Sequence, residues 1–200
     1  MLNKFDDVID LCRQYDIVCI AESWHDSDSP VIGRLRSAGY FVAEFARPRL
    51  RDDVMTVNHG GLVIVGKFPL SIIATEQFST FESLCVRVSI GRSSVLLAAI
   101  YRPGSQSVCN QFFEDFTELF EQLATYQIRT YIVGDFNIHL ENRSDVNSLQ
   151  FCQLITSFGF NIALTSSTHN LGGTIDAVLH RDDDPTAVNV IDVGLSDHHL

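Results

Sequence analysis

The sequence predicts an α/β domain in which β-sheets are covered by helices. Short, unbroken apolar runs such as Ile17–Ala21 are typical of buried strands. A longer stretch after Asn110 carries apolar residues at helical spacing. About ten such strands and four helices alternate without repeats, low-complexity tracts or linkers, which favours one layered domain. With 200 residues and 46% hydrophobic content, the chain can bury a sizeable core.

Helix boundaries are indicated by capping residues and glycines. Asn3 can cap a first helix. Ser29 followed by Pro30 opens a second helix, and Gly39 ends it. Four helices are predicted. The first begins after Asn3, the second extends from Pro30 to Gly39, the third begins after Asn110, and the fourth lies around Leu149–Phe158.

Strands are predicted where apolar or β-branched runs lie between turn signals. These strands are Ile17–Ala21, Tyr40–Phe45, Leu62–Val65, Ser71–Thr75, Leu84–Ile90, Val95–Tyr101, Thr130–Val133, Asn161–Leu164, Thr174–Leu179 and Val188–Val193. Residues 47–59 are predicted to form a polar loop.

The charge balance narrows the functions that we expect. The chain carries 14 basic and 25 acidic residues, a formal net charge of −11. This argues against nucleic-acid binding through bulk electrostatics. It leaves room for a nuclease, because carboxylates can hold a cation that then faces phosphate. Basic residues do cluster at Arg47, Arg49 and Arg51, where we expect contacts to a DNA backbone.

Cysteine usage and the N-terminus indicate an intracellular protein. The five cysteines are odd in number and scattered, and none has metal-ligand spacing. Free thiols in a reducing compartment are the expected state. No apolar run approaches the roughly 18 residues of a spanning helix, and the first residues do not resemble a signal peptide. We therefore expect no membrane association.

The stretch Gly134-Asp135-Phe136-Asn137 follows an apolar strand and is the strongest candidate for a site. Residues two apart on a strand point the same way, so Asp135 and Asn137 are expected to share one direction while Phe136 enters the core. An acid beside an amide can orient a water or hold a metal. The same letters also form ordinary turns.

Other polar residues lie where apolar strands end or turn. Glu22 follows the first strand and is either a capping acid or a ligand for a hard cation. Tyr101 and Arg102 end another strand, where they are either edge residues or contacts to phosphate.

Asp176 is expected inside an apolar strand, where an acid is costly unless it has a partner. His198 is the natural partner, because a carboxylate fixes an imidazole's orientation. Asp197, beside it, could join a metal site. Thr168 and His169 form a polar turn that is either solvated or part of the site.

These motifs together resemble the endonuclease/exonuclease/phosphatase superfamily, which includes the exonuclease III-type apurinic endonucleases and DNase I. Within this superfamily, the sequence motifs are most similar to those of the endonuclease domain of non-LTR retrotransposons. The matching segments, which span essentially the whole chain, are Ile100-Tyr101-Arg102-Pro103, Gly134-Asp135-Phe136-Asn137, Thr168-His169, the Gly173-Thr174 step before Ile175-Asp176, and Ser196-Asp197-His198.

The resemblance implies a DNase I-like four-layer α/β sandwich, with two mixed sheets packed face to face and helices outside. It implies hydrolysis of a phosphodiester bond in DNA with Mg²⁺ or Mn²⁺, and a reverse transcriptase domain on the same polypeptide. The metal would be bound by Glu22 and Asp197. The implied catalytic residues are Asp135, Asn137, His198, Asp176 and Tyr101. The implied substrate-binding residues are Tyr101, Arg102, Asn137, Thr168, His169 and Thr174.

One departure from the family pattern affects what we expect of residues 1–200. The family begins with a strand that carries an asparagine near its end, and here Met1 leads directly into a helix. We therefore expect a single domain truncated at both ends. Two alternatives stay open beside a DNA endonuclease: a phosphatase or phospholipase of the same superfamily, and a truncated copy without activity.

Overall fold

Two β-sheets with helices on their outer sides make up the computed structural model of the chain. It describes residues 4–48, 60–163, 166–170, 172–181 and 187–199. The helices are α1 (Phe5–Gln14), α2 (Pro30–Ser37), α3 (Asn110–Ala124) and α4 (Val146–Ser157). The strands are β1 (Ile17–Ile20), β2 (Phe41–Phe45), β3 (Leu62–Gly66), β4 (Leu70–Gln77), β5 (Glu82–Ile90), β6 (Ser93–Tyr101), β7 (Thr130–Asp135), β8 (Asn161–Ala163) and β9 (Asp176–Arg181).

The larger sheet has six strands in the order β4-β5-β6-β7-β9-β8. All neighbours are antiparallel except β6 and β7, which run parallel because α3 carries the chain back between them. As a result β6 and β7 end at the same edge where β5 and β9 begin. The smaller sheet has the order β1-β3-β2.

Three apolar clusters hold the layers together. Leu84 and Val86 of the larger sheet pack with Leu62 and Ile64 of the smaller sheet. The opposite face of the larger sheet meets a phenylalanine-rich side of α3 and α4, and the outer face of the smaller sheet meets α1 and α2. Burial of each large apolar side chain contributes about 1.5–3 kcal/mol. The predicted four-layer α/β sandwich is confirmed.

Some predicted elements differ from the structure. Only the larger sheet is mixed, because both pairings of the smaller sheet are antiparallel. Residues 188–193 form no strand: they find no partner in the described part of the chain, and Ile191 stays exposed. The strand predicted over Thr174–Leu179 begins at Asp176 instead. Predictions for Asn3 and Leu164 fall outside the described residues.

Helix termini follow their local signals with two adjustments. Helix α4 begins earlier than predicted, because the Asp145 carboxylate accepts a hydrogen bond from the Ser148 amide at 2.7 Å and caps it. Helix α2 begins at Pro30 as predicted, although the Ser29 hydroxyl makes no capping bond. None of the helices in the described ranges is long and apolar enough to cross a membrane.

Candidate active site

Four polar residues form one row across the larger sheet. Glu82 is paired with Tyr101, Tyr101 with Asp135, and Asp135 with Asp176. Directly opposed residues present their side chains on the same face of a sheet. The row lies at the sheet edge where two strands end and two begin. Tyr101 belongs to the apolar cluster between the sheets, so the row faces the smaller sheet.

The turn after β7 fixes an acid and an amide against each other. The Asn137 amide donates to Asp135 Oδ1 at 2.8 Å, and Asn137 Nδ2 donates to Asp135 Oδ2 at 2.7 Å. Asn137 has φ 49°, which asparagine tolerates better than most residues. Phe136 points the other way and is fully buried among the helices. The shared direction of Asp135 and Asn137, predicted from their spacing, is confirmed.

Gly134 permits the close approach of β6 and β7. Its φ is 145°, and a Cβ atom there would collide with the Ile100 carbonyl on the neighbouring strand. A side chain at this position would push β7 away from β6 and separate Asp135 from Tyr101. The glycine before Asp135 is therefore required by the sheet.

Arg102 has a different place from the phosphate contact that we expected. Its side chain is 4% exposed. The guanidinium donates to the carbonyls of Phe136 and Asn137 at 2.5 Å each, and to the Gln106 carbonyl at 2.6 Å. Asn137 Nδ2 donates in return to the Arg102 carbonyl at 2.7 Å. The Arg102 guanidinium thus stabilises the Asp135–Asn137 turn, because buried carbonyls at the strand end need hydrogen-bond donors.

Burial and charge repulsion perturb Asp135. Burial, followed by the negative charge of Asp176, raises the pKa of the Asp135 carboxyl to about 7. Each of its oxygens accepts one bond from Asn137, and each keeps capacity for another. The group can therefore exchange a proton with a water near neutral pH.

Asp176 and His198 form the partnership that the sequence predicts. His198 Nδ1 lies 3.0 Å from Asp176 Oδ2, and this hydrogen bond raises the pKa of His198 to about 9. The bond leaves Nε2 of the ring for another partner. Thr168 is buried, and its hydroxyl oxygen accepts from the amides of Ile175 and Asp176 at 3.2 and 3.1 Å. Thr168 therefore positions Asp176, and its substrate contact stays a prediction.

Glu22 lies across the gap, at the end of β1. It has φ 49°, which is uncommon for a non-glycine residue. Its carboxylate accepts the hydrogen bond of the Tyr101 hydroxyl. Burial and then the bond to Glu22 raise the pKa of the Tyr101 phenol, so Tyr101 remains a donor. Glu22 is thereby connected to the row on the larger sheet.

The remaining residues that the sequence predicts for the site are His169, Asp197 and Thr174. His169 Nε2 lies 3.3 Å from Asp197 Oδ2. The Thr174 hydroxyl is buried and donates to the Ser166 carbonyl, and its predicted substrate contact stays a prediction. The groups of three or more possible metal ligands in the described chain do not include Glu22. The expected metal pair of Glu22 and Asp197 therefore stays a proposal.

A buried ion pair flanks the site and was not predicted from the sequence. Glu82 is 1% exposed, pairs with Arg47 and accepts from the Gly61 amide at 2.8 Å. The Gly61 carbonyl in turn accepts from the Ser23 amide at 3.1 Å, next to Glu22. Glu82 is an acidic residue at the start of an apolar strand, as Asp176 is. This position is the sequence feature that could have indicated a buried, partnered acid. Arg49 and Arg51 of the predicted DNA-binding loop lie outside the described residues.

The donor set near Glu22 suits a hard divalent cation. Asp135, Asp176 and His198 each offer one ligand atom, and the three atoms lie within 4.8 Å of one another. The Glu22 carboxylate is connected to this row through the Tyr101 hydroxyl. Such a concentration of negative charge is stabilised by a cation with oxygen ligands. The residues present are therefore compatible with a divalent cation.

Comparison with known proteins supports one fold family. Among curated proteins, no sequence matches the chain significantly. The 3' phosphatase NExo from Neisseria has a TM-score of 0.70 at 15% identity, covering 98% of this chain and 92% of that one. The endonuclease domain of TRAS1, a telomere-specific non-LTR retrotransposon, has 0.67 at 15%, covering 98% and 88%. An AP endonuclease from Archaeoglobus fulgidus has 0.64 at 15%, covering 98% and 91%.

At these identities the solved structures show a shared fold and leave activity open. The family model of the Endonuclease/Exonuclease/phosphatase family matches residues 1–198, nearly the whole chain. Members of this family are hydrolases that act on phosphodiester bonds. Together with the four-layer sandwich and the row of polar residues at its edge, this match identifies the chain as a member of the Endonuclease/Exonuclease/phosphatase family.

Proposed function

We propose that this chain is a divalent-metal-dependent endonuclease that hydrolyses one strand of DNA. The observation that carries the proposal is the strand register that sets Tyr101, Asp135 and Asp176 side by side. It places a candidate base, a hydrogen-bond donor and an acid–histidine pair along one edge. Hydrolysis of a phosphodiester needs these three functions together.

Asp135 is the residue that activates water. Its pKa of about 7 gives a mixed population of acid and base at neutral pH, which is favourable for general-base catalysis. Asn137 holds both carboxylate oxygens, so the remaining acceptor positions have a fixed direction. A water bound there would be oriented for in-line attack on phosphorus.

His198 and Tyr101 bind the phosphate. With a pKa of about 9, the His198 imidazole carries a positive charge at neutral pH. Its Nε2–H donates to a phosphate oxygen and offsets the charge that develops in the transition state. The Tyr101 hydroxyl is a second donor on the same row. Asp176 keeps the imidazole in the orientation that this contact requires.

Glu22 and Asp197 hold the cation in this proposal. When bound, Mg²⁺ or Mn²⁺ would supply Lewis-acid stabilisation of the phosphate oxygens. The bond between Tyr101 and Glu22 limits the motion of that carboxylate before a metal arrives. Arg102 contributes indirectly, by fixing the Asp135–Asn137 turn.

A retrotransposon origin is the finer form of the proposal. The TRAS1 endonuclease domain shares the fold at a TM-score of 0.67, and the sequence motifs of this chain resemble those of such domains. In this setting the nick would prime synthesis by a reverse transcriptase domain on the same polypeptide. DNA and that polymerase are the partners that we infer.

The test is nicking of supercoiled plasmid with Mg²⁺ by the wild-type chain, Asp135→Ala and His198→Ala. The matched control is Asp10→Asn, which changes an exposed aspartate on α1. We expect nicking by wild type and control and its loss in both site variants. Undiminished nicking by both site variants would sink the proposal, because it would assign the activity to another site or to a contaminant.

Phosphomonoester hydrolysis at the same site is the second candidate. The net charge of −11 favours a small phosphoester over a long polyanion, and the fold is shared with the 3' phosphatase NExo. Release of inorganic phosphate from small phosphoesters, without plasmid nicking, would favour this function. Both activities should depend on Asp135, so the substrate panel distinguishes them.

A further inference from the structure

A second group of possible ligands lies beside the catalytic row, in two short segments near the end of the described chain. His169, Asp197 and His198 each offer one ligand atom, and the three atoms lie within 4.8 Å of one another. We propose that these residues form a site for a borderline transition-metal cation, with Zn²⁺ as the best fit. This site shares Asp197 with the oxygen-ligand site proposed at Glu22 and differs from it by its two imidazoles.

The backbone holds the two segments in register. His169 and His198 form an isolated antiparallel bridge. The Asn170 amide donates to the Asp197 carbonyl at 2.9 Å, and the His199 amide donates to the Thr168 carbonyl at 2.8 Å. Side chains on paired segments of this kind need little reorganisation to converge on an ion. The ligands are therefore positioned in advance.

The orientation of His198 also suits a metal ligand. Its Nδ1 faces Asp176 at 3.0 Å, which leaves Nε2 as the coordinating nitrogen. A histidine that binds a metal commonly donates its other N–H to a carboxylate in this way. The rings of His169 and His198 are perpendicular, with centroids 5.0 Å apart. A ring nitrogen of each histidine lies within 4.8 Å of the other and of an Asp197 oxygen.

The donor set selects the class of metal. Two imidazoles and one carboxylate suit Zn²⁺, Co²⁺ or Ni²⁺, whereas Mg²⁺ prefers oxygen ligands throughout. Ligands at about 2.0–2.1 Å around a tetrahedral zinc lie roughly 3.3 Å from each other. His169 Nε2 and Asp197 Oδ2 are already 3.3 Å apart. The Asp197 side chain is 70% exposed, so solvent can reach the fourth position.

Occupancy of this site would compete with hydrolysis, and this consequence rests on the proposed function. A metal on His198 Nε2 removes the donor that binds phosphate. The same metal would also occupy Asp197, which the proposed Mg²⁺ site shares. Zn²⁺ should therefore inhibit Mg²⁺-supported nicking.

Binding is measured on the full chain at pH 8, because the metal must displace the proton of a ligating imidazole and a lower pH would weaken binding. Zn²⁺ affinity is obtained by competition with a chromophoric chelator, and Co²⁺ reports the coordination through its visible absorption. We expect one tight site in the wild type and a loss of at least about tenfold in affinity for His169→Ala and for Asp197→Asn. His139→Ala removes an exposed histidine outside the group and is expected to keep wild-type affinity.

Wild-type affinity in the His169→Ala variant would overturn the site, as would equal loss in His139→Ala. Circular dichroism without metal checks the fold. If His169→Ala does not fold, the exposed Asp197 decides the result through Asp197→Asn. Zinc binding with undiminished nicking would overturn the inhibitory role alone. Absence of nicking under every condition would count against the proposed function, and the binding assay would still decide the site.

Discussion

The two sheets hold their site residues by different means. The larger sheet places Tyr101, Asp135 and Asp176 through strand register alone, since each is the direct partner of the next. The smaller sheet contributes Glu22 from a position past the end of β1, with a left-handed backbone conformation. One side of the site is therefore set by regular hydrogen bonding, and the other by irregular backbone.

Each side needs a different kind of support. Behind the Asp135 turn, one buried guanidinium binds the carbonyls of Phe136 and Asn137. Beside Glu22, support comes through Glu82, Gly61 and Ser23 in sequence. On the larger sheet, Arg102 stabilises the strand end, and we call this residue the clamp. On the smaller sheet, the irregular segment at Glu22 depends on a series of contacts that begins at Glu82 of the larger sheet. Substitutions on the two sides should have different effects, and these can be measured.

The largest effect is expected on the register side, from Asp135→Asn. The change keeps the shape and removes the base, so hydrolysis should fall about 10²–10⁴-fold. Single-turnover nicking of plasmid DNA measures the rate. Stability should change little, because relief from burying a carboxylate offsets the loss of one of the two hydrogen bonds from Asn137. A large loss of stability would show that the acid has a structural role instead.

Removal of the clamp by Arg102→Met is the next largest change. Four carbonyls lose a charged donor, three of them at 2.6 Å or less, and the free energy of unfolding should fall by about 3 kcal/mol. Urea denaturation measures this. Arg87→Met, on an exposed position of β5, is the control and should change stability by less than about 0.5 kcal/mol. Equal effects of the two substitutions would contradict the clamp.

On the Glu22 side, Glu82→Gln should have a moderate effect of about 1–2 kcal/mol. Glutamine can still accept from the Gly61 amide, but the ion pair with Arg47 is lost. We also expect weaker stabilisation by Mg²⁺ in a thermal shift assay, because Ser23 beside Glu22 depends on Gly61. Glu118→Gln, exposed on α3, serves as control. An unchanged Mg²⁺ response would separate Glu82 from the metal site.

The last comparison is the pH dependence of stability without metal. The folded-state pKa of His198, about 9, is above its ordinary value of 6.5, so its stabilisation is complete below pH 6.5 and lost toward pH 9. The raised pKa of Asp135, about 7, also lowers stability as pH rises from 3.8 to 7. Both signs agree: unfolding in urea with chelator present should become easier from pH 6.5 to 9.

Asp176→Asn tests the origin of this dependence. Without the carboxylate, the pKa of His198 should return toward its ordinary value, and the slope between pH 6.5 and 9 should flatten. A slope that is unchanged in Asp176→Asn would assign the dependence to other groups.

The sequence predicted what depends on local spacing. The shared direction of Asp135 and Asn137 follows from strand alternation, and the pairing of Asp176 with His198 follows from the cost of a buried acid. The inward turn of Arg102 could not be read from its neighbours, because its acceptors lie 35 residues away in the case of Asn137. The backbone contacts of Thr174 and Thr168 could not be predicted for the same reason: a hydroxyl can bond to substrate or to backbone, and only long-range contacts determine its backbone partners.

Residues 188–193 illustrate the opposite error. Their alternating pattern is compatible with a strand, but a strand also needs a partner with free hydrogen-bonding groups. A pattern within one segment carries no information about such a partner.

The row from Glu82 to Asp176 has a consequence for folding. Side chains alternate along every strand, so a slip of β6 or β7 by one residue would turn Tyr101 or Asp135 toward the helices. A misaligned chain could retain its helices and most of its sheet and still lack a site. Turnover by this protein would therefore report on strand alignment with a sensitivity that circular dichroism cannot match, which makes enzymatic activity a direct assay of correct refolding.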